Sequence, residues 1–269
     1  MNHEPMAALW LPLLVRLTER FPGWGLWKNG DAALQGHGDF DSMAEEEDWD
    51  AIIEEFSLWA AANDLGPVAA CRHVKGVLFL AAFDAAGSRI LELDVNSRKY
   101  FRGWTVFQPQ QLAPLMEMDD RGFRRVRPGA EGVILLTQNG LKWGGRPDPD
   151  GLERKSVAQF LDSDHDGILE SAKLFRPADK ALVRAAESAA RGDWDRAAML
   201  TVEARAVLGA LASPSILATR VRAKRVKKRC PLLVTIFSDG REVRGDPDTW
   251  IKRVASEGEI HGTETSAHE

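Results

Sequence analysis

Cysteine is scarce. The chain has two, Cys71 and Cys230, far apart and in no metal-ligand spacing, which argues against a disulfide scaffold and against a zinc site. Both are expected to be buried thiols. No stretch approaches the ~20 consecutive apolar residues that cross a bilayer. The most apolar N-terminal run, Ala7 to Val15, contains Pro12 and leads straight into Arg16, Glu19 and Arg20. Lacking a basic leader and a small-residue cleavage site, it does not read as a secretory signal, so the expected location is cytoplasmic and no membrane partner is expected. Glycine-rich and proline-rich runs are also missing, while 44% of residues are hydrophobic and 28% charged; fibrous and intrinsically disordered classes are excluded for most of the length. The chain shows no internal repeat. It has no Ser/His/Asp or Cys/His arrangement for nucleophilic catalysis, and no G-x-x-x-x-G-K-[ST] phosphate loop follows the apolar segment Leu232 to Phe237.

What is present is a chain of 269 residues, enough for one large domain or two small ones. Its net charge of −5 hides an asymmetry: residues 1–119 carry 9 Lys/Arg against 18 Asp/Glu, and residues 120–269 carry 26 against 22. Two halves with different jobs are expected. Ala7 to Arg20 reads as a helix ended by Phe21-Pro22-Gly23, and Trp24 to Trp27 as a short apolar piece leading into Lys28-Asn29-Gly30. Gly36-His37-Gly38-Asp39-Phe40-Asp41 reads as a sharp turn into a strand. From Asp48 to Asn63, Trp49, Ile52, Ile53, Phe56 and Trp59 recur at three and four, the period of an amphipathic helix. Three strands are predicted over Val68 to Val74, Val77 to Phe83 and Ile90 to Val95, so closely joined that antiparallel pairing is the economical arrangement. Beyond about residue 117 the pattern turns helical: Glu131 to Trp143, Leu152 to Leu161, Ala178 to Arg191, Trp194 to Leu211 and Ile216 to Lys228. The fold class is therefore α+β, divided as 1–117, a helical domain 118–230, a small hairpin-and-helix appendage 231–256, and a disordered polar tail 257–269.

Chemistry concentrates in the acidic front. Asp39 and Asp41, two apart in an extended segment, put both carboxylates on one side, about 7 Å apart along the chain. In Ile90-Leu91-Glu92-Leu93-Asp94-Val95 the same period sends Leu91, Leu93 and Val95 to a core and Glu92 and Asp94 to the polar face. A neighbouring strand would bring Asp94 beside the first pair, with Glu92 as its rival. Three close carboxylates repel one another unless cations lie among them, and hard oxygen ligands select Mg²⁺ or Mn²⁺ over zinc. An isolated D-x-D is also produced by surface turns and by sugar-nucleotide glycosyltransferases.

The order of features adds specificity. Lys28-Asn29-Gly30, a short helix, Gly38-Asp39-Phe40-Asp41, an amphipathic helix, a strand meander and Leu91-Glu92-Leu93-Asp94 resemble the nucleotidyltransferase superfamily of the DNA polymerase beta type, over roughly residues 24–115. The resemblance implies a mixed sheet with helices followed by a helical companion domain. It also implies that Asp39, Asp41 and Asp94 hold two magnesium ions on a nucleoside triphosphate, ATP first among the candidates, with Lys28, Asn29, Gly30 and Gly38 around the nucleotide. Where the family has Gly-Ser or Gly-Gly, this chain has Lys28, Asn29 and Gly30. The acceptor is then a small molecule, slightly favoured, or tRNA, as in nucleotidyltransferase toxins; a catalytically silent nucleotide-binding or interaction module is the reading from another class.

Other signals are weaker. Asp162-Ser163-Asp164-His165-Asp166-Gly167 imitates the start of a calcium loop, but its twelfth position is Lys173 where a bidentate Glu is needed, so it is expected to be a polar linker. Seven basic residues among 220–229 suit either phosphates or a solvated face turned to the acidic half. Arg121, Arg124, Arg125 and Arg127 could clamp an anion or form interdomain ion pairs. Trp104 is the tryptophan placed to stack on a base, and His37 reads as a turn residue.

Overall fold

The computed structural model describes residues 4–84, 90–153, 157–212, 234–238 and 241–243. The first half runs α1 (Glu4–Arg20), β1 (Gly25–Lys28), α2 (Gly30–Leu34), β2 (Phe40–Met43), α3 (Trp49–Ala62), β3 (Val68–Val74), β4 (Val77–Phe83), β5 (Ile90–Asn96), β6 (Lys99–Phe101) and β7 (Trp104–Phe107). It continues with α4 (Pro109–Leu112), β8 (Met116–Met118), β9 (Arg124–Val126), α5 (Pro128–Gln138), β10 (Leu141–Lys142), β11 (Arg146–Pro147), α6 (Pro149–Glu153), α7 (Val157–Ser163), α8 (His165–Ala172), α9 (Asp179–Ala190), α10 (Arg196–Leu211), β12 (Val234–Ser238) and β13 (Arg241–Val243). The fold is a mixed α+β arrangement around a sheet ordered β13-β12-β3-β4-β5-β2-β1-β9-β8. Pairing is antiparallel except for β2 with β5 and β1 with β9. The sheet continues past residue 117, because β9 lies parallel to β1 with Arg125 opposite Leu26.

Two apolar cores sit on opposite faces of this sheet. On one, α1 contributes Trp10, Leu13, Leu14 and Leu17, and α3 contributes Ile52, Phe56 and Trp59, each set at the three-and-four spacing of one helical face. They close over Phe40, Leu78, Leu80, Leu91, Leu93 and Val95 from the strands, with the Trp10 and Trp59 rings stacked at 4.6 Å. On the other face, Trp27 and Met43 join Phe101, Phe107, Val133, Ile134, Leu136 and Phe175 under the C-terminal helices. Strand alternation explains the division: Phe40 points into the first core and Met43, three residues on, into the second. The same alternation leaves Cys71 half-buried beside the buried Ala70, a correction to the expected buried thiol.

The helical half departs from its sequence pattern at two places. Glu131 to Trp143 is not one helix, since α5 starts at Pro128 and ends at Gln138, and Leu141 pairs with Pro147 in a small ribbon. Gly140 is packed so tightly that a Cβ there would meet Leu152 Cδ2 at 2.4 Å. The expected polar linker 162–167 is almost wholly helical: Asp162 and Ser163 end α7, Asp164 is the junction, and α8 begins at His165. Asp164 caps it by accepting the Gly167 N–H at 3.0 Å, and also pairs with Arg127 at 2.6 Å. Its oxygens are thereby engaged by protein donors, and the loop geometry of a calcium site is absent there. The helices expected over 216–228 and 248–255, the basic run 220–229, Cys230 and the tail 257–269 lie outside the described residues. Among the described residues, no helix is long and apolar enough to cross a membrane.

Candidate metal centre

The parallel pairing of β2 with β5 sets Asp41 opposite Asp94. Paired residues of adjacent strands share a face, so the two carboxylates converge on the side opposite Phe40 and Leu93. Asp39 lies one step before β2 with the same parity. The chain reaches it through Gly36 and Gly38, at φ of 81° and 85°, a left-handed backbone that side chains disfavour. One oxygen from each of Asp39, Asp41 and Asp94 lies within 4.8 Å of the others. Glu92, the rival ligand, is exposed and stands apart from this group.

Such crowding has an electrostatic signature. Burial, reinforced by Asp39 and Asp41, pushes the Asp94 carboxyl up to about 7, with Lys99 opposing the rise. A site that resists carrying three negative charges is one that a divalent cation relieves, and three oxygen donors without nitrogen or sulfur fit a hard ion such as Mg²⁺ or Mn²⁺.

Lys28, Asn29 and Gly30 sit at the edge of this group. The pairing of β1 with β2 shifts register between Leu26 and Lys28, so that Leu26 faces Ser42 while Lys28 faces Asp41. A bulge of this kind places a side chain on a face that simple alternation would deny it. The Lys28 ammonium pairs with the Asp41 carboxylate, and Asn29 Nδ2 donates to the same Asp41 Oδ2 at 2.9 Å. Asn29 adopts φ 63°, and its backbone N–H donates to Glu131 Oε1 at 2.8 Å. Glu131, 2% exposed, is held in turn by Arg125 Nη2 at 2.7 Å, while Arg125 Nη1 reaches Asp31 at 2.9 Å. Gly30 begins α2 beside Leu26, and Gly38 occupies open space.

The arginine cluster after β8 therefore serves the protein's own acids. Arg121 pairs with Asp119 and Asp31, Arg125 with Glu131 and Asp31, and Arg127 with Asp164, whereas Arg124 donates to the carbonyl of Trp24 at 2.8 Å. Trp104 is engaged as well: its ring meets Phe175 edge-on at 5.8 Å and lies under the Arg205 guanidinium at 4.2 Å. The ring expected to stack on a base is thus part of the helical packing. His37 is exposed on the turn before Asp39.

Two residues near the centre were not singled out by spacing, Glu131 and Lys99. Glu131 lies about a hundred residues from Asn29 in sequence, and no local pattern connects them. Lys99 follows Asp94 by five residues, and a cation so close behind a carboxylate strand is the one signal that could have indicated it.

No protein-family model matches this chain, and no curated protein matches it. Among solved structures, JHP933 from Helicobacter pylori is similar at 13% identity and a TM-score of 0.37, covering 83% of this chain and 97% of that one.

Proposed function

We propose that the chain is a metal-dependent nucleotidyltransferase, moving a nucleoside monophosphate from a nucleoside triphosphate, ATP the first candidate, to an acceptor hydroxyl or phosphate. The observation that supports this best is the acidic triad made by two parallel strands, Asp41 directly opposite Asp94 and Asp39 beside them. Asp39, Asp41 and Asp94 would hold Mg²⁺ or Mn²⁺. When bound, the cation supplies Lewis-acid polarisation of the phosphoryl oxygens and neutralises negative charge on the leaving group.

The chain's own residues account for the rest. The acceptor oxygen forms a bond to the α-phosphorus, the bond from that phosphorus to the bridging oxygen breaks, and pyrophosphate departs with its electron pair. The acceptor proton passes to a carboxylate oxygen of Asp94, the triad member on β5. Lys28 and Asn29, which flank Asp41, bind the phosphates, while Glu131 holds the Asn29 backbone in its left-handed turn. A small-molecule acceptor is favoured, because the chain is negative overall and its catalytic half, with 9 Lys/Arg against 18 Asp/Glu over residues 1–119, repels a polyanion. A cytoplasmic location accompanies this reading.

The test is incubation with each NTP labelled at the α-phosphate, Mg²⁺, and either total tRNA or a small-molecule cell extract. Label is expected on a small-molecule product and should vanish in Asp39→Asn, Asp41→Asn and Asp94→Asn. Label on RNA would replace the small acceptor with tRNA. Nucleotide binding without transfer in either mixture would leave the silent binding module as the function.

A further inference from the structure

Among the cations around the acidic triad, Lys99 stands apart. Lys28 has Asp41, and Arg121, Arg125 and Arg127 each have a carboxylate. Lys99, half-buried at the start of β6, makes no hydrogen bond or ion pair with a described residue. An ammonium carries three donors, and those of Lys99 are left to water. Partial burial of the side chain pushes the Lys99 pKa down. The groups that act on it electrostatically are those of the site: Asp41, Asp94 and Asp39 attract it and Lys28 repels it.

The two lysines also share a platform. Lys28 Nζ and Lys99 Nζ each lie 5.3 Å from the centroid of the Trp27 ring, a ring only 1% exposed that anchors the second core. The indole face attracts both cations, yet like charges gathered on one ring repel. An anion lying between them removes that repulsion and gives Lys99 charged acceptors in place of water. Its required chemistry follows: several oxygens, more than one negative charge, and a position beside a divalent cation.

We propose that Lys99, with Lys28 on the shared Trp27 platform, forms a seat for the polyphosphate of the substrate. The inference rests on the nucleotidyltransferase reading and deepens it. The seat takes the phosphates that are not transferred, so its ligand class includes inorganic tripolyphosphate and pyrophosphate as well as the nucleotide.

Calorimetry of the full chain with Mg²⁺ and inorganic tripolyphosphate tests it, beside a titration with Mn²⁺ alone. Loss of a charge-assisted hydrogen bond to phosphate weakens binding about tenfold to a hundredfold. Lys99→Met is therefore expected to lose that much tripolyphosphate affinity and to bind Mn²⁺ at least as tightly as the wild type, since a cation has left the site. Lys99→Arg should recover most of the phosphate affinity, which a purely structural role would not predict. If Lys99→Met folds poorly, the Arg variant and Lys99→Gln carry the comparison. Wild-type binding of tripolyphosphate that stays within twofold in Lys99→Met would overturn this inference and leave the nucleotidyltransferase reading intact. Mn²⁺ binding by the wild type with no affinity for tripolyphosphate or any NTP would overturn both.

Discussion

Replacing Asp94 with Asn should make the metal-free protein more stable while removing its response to Mg²⁺. The Asp94 carboxyl is raised from an ordinary 3.8 to about 7, first by burial and then by Asp39 and Asp41. At about 1.4 kcal/mol per tenfold change in proton affinity, that rise gives an upper bound of about 4 kcal/mol for keeping this group ionised. Asp94 is only half-buried, and solvent screening reduces the usable figure to about 2 kcal/mol. Because the folded pKa lies above the unfolded one, the folded protein binds the proton more tightly. Stability is then highest below pH ~4, falls as the pH rises toward 7, and is level above it. The Asp94 side chain makes no hydrogen bond to a described residue, whereas its backbone carbonyl, which accepts from Ser42 Oγ at 2.9 Å, is untouched by the substitution. Thermal melting in EDTA at pH 8 should therefore place Asp94→Asn about 4–8 °C above the wild type, at about 2–4 °C per kcal/mol for a chain of this size. At pH 4.5, still above the unfolded value of 3.8, the difference should shrink to about 1 kcal/mol, roughly half. Adding Mg²⁺ at pH 8 should raise the wild type by mass action and leave the variant unmoved. A variant no more stable than the wild type at pH 8, or a difference equal at both pH values, would refute the picture of three repelling carboxylates.

Three further outcomes follow from the same contacts. Glu131→Ala leaves Arg125 buried without its closest carboxylate and should cost about 3–5 kcal/mol in urea unfolding; a loss below 1 kcal/mol would show that Asp31 suffices for Arg125. Trp10→Ala removes the ring stacked on Trp59 in the first core and should cost about 3–5 kcal/mol, with a smaller value indicating that α1 and α3 collapse into the space. Asp164→Ala deletes the cap of α8 and its pair with Arg127, worth about 1–2 kcal/mol, and calcium should leave the melting temperature of the wild type unchanged; calcium stabilisation that disappears in this variant would restore the loop reading.

Much of the framework was legible because it is locally encoded. The meander Val68–Val74, Val77–Phe83 and Ile90–Asn96 follows from apolar runs cut by Lys75-Gly76, and its antiparallel pairing from turns too short for a crossover. Helix α3 follows from Trp49, Ile52, Ile53, Phe56 and Trp59, five residues on one face. The parity of Asp39 with Asp41, and of Asp94 against Leu91, Leu93 and Val95, is a property of extended chain and needs no tertiary information. What went astray involves partners distant in sequence: past Gln138 the chain pairs Leu141 with Pro147 and packs Gly140 on Leu152, and Asp164, the cap of α8, is also held by Arg127 and Gly129.

Sequence alone thus determined which residues are acidic, which face of its own segment each one occupies, and that α1, α3, α9 and α10 are helices and β3 to β5 strands. Tertiary structure decided which faces meet. The parallel pairing of β2 with β5 joins residues some fifty positions apart, and a one-residue slip would send Asp94 to the opposite side from Asp41. The register shift in β1 carries Lys28 onto the Asp41 face, Glu131 reaches Asn29 across about a hundred residues, and Lys28 and Lys99 meet on Trp27. Side-chain period is a local consequence of backbone geometry, whereas register and face-to-face packing are set by the whole chain minimising exposed apolar surface and unpaired charge.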